Sequence, residues 1–539
     1  MTSALDRCSH CKLSKLKSLE KHDETTIASL QALSKSLPKS IWHTNDPAPP
    51  ELRSDISRII AGGDEEVKVI KDAISLLGTA LKELYHARDR IQSFTRKHKS
   101  LVSPLRTLPS EILSEIFMHV VDPRVGRMRL YLDTYQSLDV HKGVWTLTRV
   151  CSRWRRLAQS DCRLWTRVDI NAKSLARSRN PVPILEAYLS RSANLSLTID
   201  CALSSYPAYI PAPSAAAGVI RLLWEVAKRW RKATFNFGDC DPRVWADVKQ
   251  STYDRLEDIQ IRFGRSIPPD AAVSLKVAPR LRRCSFNQVL PVPPNVRLPI
   301  EQLTHYVGPC RIGQIDVLPY LLGSEHLSLT DYGSGPLVHL PRLRRLSIKV
   351  ANIADRLEAP VLEELSAFHL VNGMHAIVDM LRRSACDSLT LLQTSFIHFP
   401  LTAILDILQL SPRMRDLRIA VQPPDAPKAD DFFRRMILPE DGGASEEAVP
   451  PPRLAPDLET ITYAFYGDGP HAPQAFITFL KSRMARENPV LKDASLLLGD
   501  KRYHEKSPAL QRSVKELASA GLKLRISDVH LAHISAVDV

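Results

Sequence analysis

Apolar residues in the first part of the chain recur at alternating steps of three and four, which is typical of a helix with one apolar stripe. The stripe consists of Val67, Ile70, Ile74, Leu77, Leu81, Leu84 and, after a break at Arg88, Ile91. A mean period of 3.5 residues is that of a coiled coil, but a helix that packs on its own chain needs the same stripe. The pattern predicts an amphipathic, coiled-coil-like helix over 65–103, and leaves self-association through 67–91 as an open interpretation.

The stretch before this helix, residues 1–64, contains four prolines and closes with the pair Gly62-Gly63. Prolines and paired glycines interrupt regular structure, so we expect an irregular leader here. Cys8 and Cys11 have the spacing of half a zinc site, but no second pair with that spacing follows them. We therefore expect no bound metal and no cofactor.

Between residues 104 and 170 the pattern predicts three short helical pieces. Pro109 suits the first turn of a helix, and Glu111 suits its positive end. One face of that helix is formed by Ile112, Leu113, Ile116, Phe117 and Val120. The second and third pieces carry Leu147, Val150, Cys151, Trp154, Leu157, and then Leu164 and Trp165. Helices this short bury little apolar surface alone, so we expect them to dock on a larger domain or to present an apolar face to a partner.

These motifs resemble the F-box family. The family pattern LPxE(L/I)LxxIF occurs from Leu108 to Phe117, VCxxWRxLA from Val150 to Ala158, and LW at 164–165, in the family's order. Together with the leading helix, the arrangement looks like that of fungal F-box proteins. The resemblance implies a three-helix F-box over 104–170 that binds a Skp-family adaptor and, through it, a cullin. It also implies that no residue of this chain performs ubiquitin chemistry.

The resemblance further implies which side chains meet the adaptor, although each of them could instead pack in the domain's own core. The set is Leu108, Pro109, Ile112, Leu113, Ile116, Phe117, Val150, Cys151, Trp154, Leu157, Leu164 and Trp165. Leu108, Pro109, Ile112 and Leu113 are the first choice, because the family's adaptor contact centres on the first helix.

After residue 170 a phrase of the form Pro-x-Leu-x-x-Leu-x-apolar recurs. It occurs at 279–286, 341–348 and 360–367, and with small changes at 412–419 and 456–463. The first apolar positions of these and related phrases are 256, 281, 303, 343, 362, 414 and 458, with steps of 25, 22, 40, 19, 52 and 44 residues, of which the long ones are close to two short ones. Such steps are close to the period of leucine-rich repeats. Helical stretches precede several strands, so we predict a degenerate leucine-rich-repeat-like α/β solenoid with a parallel sheet over 171–539.

Two segments of that region look like insertions. Residues 201–216 and 421–456 are rich in proline and alanine, and the second also in acidic residues, so we expect exposed loops. The whole chain is thus predicted to be an α+β multi-domain protein: a leading helix, a small F-box and a repeat region.

Charge and composition narrow the function. Lys and Arg number 73 against 59 Asp and Glu, a net charge of +14. Such an excess can indicate a protein that binds nucleic acid, but no zinc-finger or RNA-binding motif is complete, so nucleic-acid binding is a secondary hypothesis. No residues are spaced as a catalytic nucleophile and base, and His471 is an isolated candidate, so we expect no enzyme.

No apolar run reaches the length of a membrane span, and no secretory signal is expected. Nine cysteines without an export signal indicate reduced thiols in the cytoplasm or nucleus. The favoured interpretation is a substrate-recognition subunit of a cullin–RING (SCF-type) ubiquitin ligase whose repeat region binds an unidentified target protein. The alternative is a non-degradative interaction scaffold.

Overall fold

The structure is a computed structural model. It describes residues 25–43, 46–121, 136–203, 213–238, 252–263, 275–286, 296–312, 314–330, 335–368, 373–395, 401–421, 426–437, 454–465, 474–486, 488–498 and 508–528. The chain forms two compact units, Met1–Pro109 and Ser110–Val539.

The first unit is helical. Helix α1 covers residues 25–35, helix α2 covers Pro50–Leu101, and short 3-10 turns lie at Lys39–His43 and Pro104–Arg106. The amphipathic helix predicted over 65–103 is therefore present, but it begins fifteen residues earlier, at Pro50.

The irregular leader predicted over 1–64 is wrong for much of its described part. Pro50 starts α2 instead of interrupting it, since the first helical turn does not need the N–H that proline lacks. Gly62 lies inside the helix where a Cβ would come within 2.9 Å of Leu30 Cδ2. A glycine there lets α1 approach α2, which offsets the low helix propensity of the residue.

The second unit begins with the helices that the F-box pattern predicted. Helices α3, α4 and α5 cover Ser110–Val121, Val144–Val150 and Ser152–Ser160, and a 3-10 turn follows at Cys162–Trp165. The later helices are α6 (Ala172–Arg177), α7 (Pro181–Arg191), α8 (Pro213–Glu225), α9 (Met374–Arg383), α10 (Leu401–Leu410), α11 (Ala426–Arg435), α12 (Gln474–Met484) and α13 (Pro508–Ser519).

Eighteen strands are present in the described part of the chain, and fourteen of them form one sheet. Those fourteen are β1 (Arg167–Asn171), β2 (Leu197–Ala202), β3 (Trp230–Gly238), β4 (Asp258–Phe263), β5 (Arg283–Phe286), β6 (His305–Gly308), β9 (His326–Leu329), β11 (Arg345–Ile348), β13 (Glu364–Phe368), β14 (Leu391–Ser395), β15 (Asp416–Val421), β16 (Thr460–Phe465), β17 (Asp493–Leu498) and β18 (Lys523–Asp528). The short strands are β7 (Arg311–Ile312), β8 (Ile315–Asp316), β10 (Val338–His339) and β12 (Leu357–Glu358).

Each strand of the large sheet lies beside the next one in chain order, and all the pairs are parallel. One backbone contact recurs just before the strands. For example, the Arg344 carbonyl accepts from the N–H groups of Glu363 and Glu364 at 2.8 and 2.9 Å. The Glu363 carbonyl accepts from the next two N–H groups in the same way. One-directional stacking of similar units is the topology expected for a repeat-built sheet, and the predicted α+β class is confirmed.

The recurring phrases place their leucines in the core. The first apolar positions, Leu281, Leu343 and Leu362, are fully buried just before their strands. Inside the strands, apolar and polar side chains alternate, so that one face packs inward and the other carries polar groups.

The two predicted loops have different outcomes. Residues 204–212 lie outside the described part of the chain, so the loop near 201–216 stays a prediction. The loop predicted over 421–456 is wrong for 426–435, which form α11. Ala429, Phe432 and Phe433 of that helix are buried, so an apolar stripe decided the structure although the segment is acidic overall.

Candidate functional site

Helix α3 carries two apolar stripes, and only one of them is buried. Residues four apart lie on the same face of a helix. The inner stripe consists of Leu113, Phe117 and Val121, all buried. The outer stripe consists of Ile112, Ile116 and Val120. Ile112 is 50% exposed and Val120 is 69% exposed. Exposed apolar side chains in one row on a helix are typical of an interaction surface, so the outer stripe is available to a partner.

The α4–α5 junction adds further exposed positions. Val150, the last residue of α4, is 55% exposed. Cys151 follows as the N-cap of α5, and its Sγ accepts from the Trp154 N–H at 3.4 Å. The Arg155 side chain donates to the Thr148 carbonyl at 2.7 Å, which holds the two helices at their bend.

A cluster of aromatic rings anchors these helices. Trp154 lies 4.8 Å from Phe117 between ring centroids, which packs α5 against α3. Trp165 is fully buried, meets Trp145 edge-on at 5.0 Å, and donates its Nε1–H to the Ala158 carbonyl at 2.7 Å. Edge-to-face aromatic pairs and satisfied indole donors are both stabilising in a core.

The aromatic cluster extends into the sheet region. Tyr188 of α7 meets Trp165 edge-on at 5.0 Å and donates its hydroxyl hydrogen to the Arg167 carbonyl of β1 at 2.7 Å. The Arg191 guanidinium lies 4.6 Å from the Trp165 ring centroid and 4.7 Å from that of Trp145. Burial lowers the pKa of Arg191. The F-box-like helices therefore share one core with the start of the sheet, as expected for helices too short to stand alone.

One ion-pair group connects the outer side of α3 to the turn after α5. Arg163 contacts Glu115 at 2.8 Å and Asp161 at 2.9 Å. The two carboxylates raise the pKa of Arg163, first through its hydrogen bond with Asp161. The group leaves the outer stripe of α3 uncovered, since Glu115 lies beside that stripe and not over it.

The structure divides the twelve predicted adaptor residues by exposure. Pro109, Ile112, Val150 and Cys151 are exposed, and Leu108, Ile116, Trp154 and Leu157 are half-buried. The buried ones are Leu113, Phe117, Leu164 and Trp165. Of the first-choice residues, Leu113 is buried because it starts the inner stripe, and its contact with the adaptor, like the other adaptor contacts, stays a prediction. Leu108 and Pro109 belong to the first unit and stay predictions.

Val120 is absent from the predicted adaptor set, although it is the most exposed apolar side chain of α3. Its position eight residues after Ile112 places it on the same stripe, and this spacing is the signal that could have identified it.

Comparison with known families gives one match: residues 105–171 fit the model of the F-box-like family. The chain contains an F-box-like domain. No curated protein matches the chain. F-box domains are typically interaction modules that bind Skp-type adaptors of ubiquitin ligases, and are not typically enzymes. The family match spans the same helices whose outer stripe is exposed.

The remaining sequence candidates add nothing to the site. Cys8, Cys11 and His471 lie outside the described residues. Among the residues that the structure covers, no group of three or more His, Cys, Asp or Glu side chains could hold a metal ion. In the same residues, no helix is both long enough and apolar enough to cross a membrane.

Proposed function

We propose that this protein is the substrate-recognition subunit of a cullin–RING ubiquitin ligase. The observation that carries the proposal is the exposed outer stripe of α3 in a domain that matches the F-box-like family. The outer stripe and Val150 would bind the adaptor, while the inner stripe packs against the other helices of the domain. The adaptor would in turn link the chain to a cullin.

The parallel sheet would bind the protein to be ubiquitinated. Fourteen strands in chain order give an extended surface whose outward side chains are set by the register. We also propose that the units are degenerate leucine-rich repeats, because buried leucines precede strands at steps close to the leucine-rich period.

A binding measurement with a purified Skp-family adaptor tests the adaptor site. Ile112→Asp places a charge on the outer stripe, and we expect at least a tenfold loss of affinity, about 1.4 kcal/mol or more. Val277→Asp is the matched control, because Val277 is 56% exposed and lies in the turn before β5. Wild-type affinity in Ile112→Asp, or an equal loss in the control, would contradict the assigned surface.

Cellular experiments separate the ligase role from a non-degradative scaffold. Proteins captured with the full chain are compared with and without proteasome inhibition. A ligase receptor should recover a cullin and should enrich its targets only under inhibition. Recovery of the adaptor, together with partners whose abundance does not change on proteasome inhibition, would favour the non-degradative scaffold.

We further propose that α2 pairs with a second copy of this chain. Its stripe is exposed at the positions of the heptad, with Val67 at 48%, Ile74 at 62% and Leu84 at 67%. Light scattering of the full chain should give a dimer mass that Ile74→Asp reduces. Leu76→Asp, on the same helix but off the stripe, should leave the mass unchanged. A monomeric wild type would refute this pairing.

A cytoplasmic or nuclear location accords with these proposals. The six cysteines in the described part of the chain are all free thiols, as is usual in reducing compartments. Fluorescence microscopy of the tagged chain would test this location directly, and secretion into the medium would contradict it.

A further inference from the structure

Side chains at or near the start of seven adjacent strands form one row across the sheet. Parallel register aligns them from β3 to β13. In order they are Lys232, Asp258, Arg283, His305, His326, Arg345 and Glu364. The next residue of each strand from β4 to β13 is buried, so the row lies on the opposite, outward face.

Charges are balanced at both ends of this row but not in its centre. Lys232 lies 3.9 Å from Asp258, and Arg345 lies 3.0 Å from Glu364. Among the described residues, Arg283 has no carboxylate within ion-pair distance. The centre of the row therefore presents a guanidinium without a close counter-charge.

Two histidines fill the space between the arginines. The rings of His305 and His326 stack at a centroid distance of 4.0 Å with a 24° angle between their planes. His305 Nδ1 lies 2.8 Å from the Thr304 hydroxyl, and no side-chain hydrogen bond joins the His326 imidazole to another described residue. The imidazole of His326 thus keeps its hydrogen-bonding capacity for a ligand.

Burial, followed by the effect of positively charged neighbours, lowers the pKa of both rings and so favours their neutral form. Burial, then His305 and Arg345, lower the pKa of His326 to about 4, against a smaller opposing effect of Glu325. Burial and Arg283 lower the pKa of His305, whereas Glu325 and Asp258 oppose the change. A ligand that brought negative charge to the row would reverse the balance and favour protonation of the rings.

Beside this row the sheet surface is lined by small polar groups. The next outward positions are Ser285 on β5, Ser347 on β11 and Ser366 on β13, with Val307 on β6 and the buried Ser328 on β9 between them. Short side chains let another chain approach the sheet, and their hydroxyls can donate to carboxylate oxygens. Lys349 follows two positions after Ser347, and burial lowers its pKa.

We propose that this face binds an acidic segment of a partner protein, with one carboxylate at Arg283 and a second at Arg345, whose side chain is 55% exposed beside Glu364 and has further N–H donors. The two arginines are separated by three strand spacings, about 14 Å at roughly 4.8 Å per strand. An extended chain spans that distance in about four residues. The expected segment therefore carries Asp or Glu at positions i and i+4. Because it names the class of target that the repeat surface would bind, this inference rests on the proposed receptor function.

A labelled peptide of Gly and Ser with two Glu residues four positions apart is the probe, and fluorescence anisotropy with the purified full chain gives its Kd. Arg283→Ala and Arg345→Ala should each weaken binding at least fivefold, and the double variant at least twentyfold. Arg382→Ala is the matched control, because Arg382 is an exposed arginine on α9. The same peptide with Gln in place of Glu should not bind.

The stacked rings predict a second readout. Affinity should rise between pH 7.5 and pH 5.0, because bound carboxylates favour protonation of His305 and His326, whose pKa values are lowered in the free protein. The double variant His305→Gln/His326→Gln should bind at pH 7.5 but lose this gain. Binding of equal strength at both pH values in the wild type would overturn the role of the histidines.

Other outcomes would overturn the site itself. Binding that survives Arg283→Ala/Arg345→Ala would refute it, as would a phosphoserine peptide that binds when the Glu peptide does not. Tighter binding of a single-stranded RNA through the same two arginines would assign the face to nucleic acid. Ile112→Asp should bind the peptide with wild-type affinity. Loss of adaptor binding therefore tests the proposed function, and loss of peptide binding tests the sheet site.

Discussion

Replacing Trp165 by phenylalanine tests whether the F-box-like helices and the sheet share one core. The indole is fully buried, donates to the Ala158 carbonyl at 2.7 Å, and contacts Tyr188 and Arg191 of α7. Phenylalanine keeps one aromatic ring at the site but removes the donor and the second ring. The substitution therefore perturbs contacts on both sides of the shared core without introducing a charge.

The size of the effect follows from three losses. An unpaired buried carbonyl costs about 1–3 kcal/mol. The missing ring leaves roughly 40 Å³, which at about 24 cal/mol per Å³ costs about 1 kcal/mol. A smaller ring also weakens the contact with the Arg191 guanidinium by a few tenths of a kcal/mol. We expect a loss of about 2–4 kcal/mol in the free energy of unfolding around this core.

Hydrogen exchange with mass spectrometry is the decisive assay, because it reports each helix separately. In a shared core, the amides of α5 and of α7 lose protection together in Trp165→Phe. Trp42→Phe is the matched control, since Trp42 is 68% exposed, and it should change protection by less than about 0.5 kcal/mol. Loss of protection in α5 with α7 unchanged would refute the shared core, and so would wild-type protection in both.

Two further predictions concern the sheet. Because His326 has a folded-state pKa of about 4, below the ordinary 6.5, the unfolded chain binds more protons between these values. The free energy of unfolding should therefore fall as pH drops from about 6.5 towards 4, by about 1 kcal/mol after solvent screening. In His326→Gln, the urea concentration at the unfolding midpoint should depend less on pH than in the wild type. Gly335→Ala should cost about 2–4 kcal/mol, since the new methyl would lie 2.7 Å from Arg356 Cζ and 2.9 Å from Asp316 Oδ2, a buried ion pair. The control Gly323→Ala meets its nearest atom at 3.8 Å, and equal urea midpoints for the two alanine variants would contradict the steric argument.

The sequence located the candidate site on α3, but it did not show which face of that helix is exposed. Ile112 and Leu113 are adjacent apolar residues, and each belongs to a stripe of residues four apart. Periodicity cannot choose between two stripes on one helix. Packing against Trp154 through Phe117 turns α3 so that Leu113 is buried and Ile112 is exposed.

The structural roles of Pro50 and Gly62 were also ambiguous in the sequence, because local pattern allows two conformations for each. Pro50 can end a loop or begin a helix, and Gly62 can break a helix or allow a neighbour to approach. The approach of Leu30 to Gly62 in the first unit decided for the helix. That contact joins residues 32 positions apart, so local pattern does not report it.

By itself the sequence determined the F-box-like motif blocks, the apolar stripe of α2 and those strands of the repeat region that the recurring phrases contain or precede. Each of these depends on spacing within a few residues, which side-chain periodicity encodes directly. Only the tertiary structure decided which residues far apart in the chain become neighbours through the register of the strands. His305 and His326 are 21 residues apart in the chain, and they stack only because β6 and β9 are neighbouring parallel strands. The shared core around Trp165 likewise exists because α7 folds back over the turn that contains it.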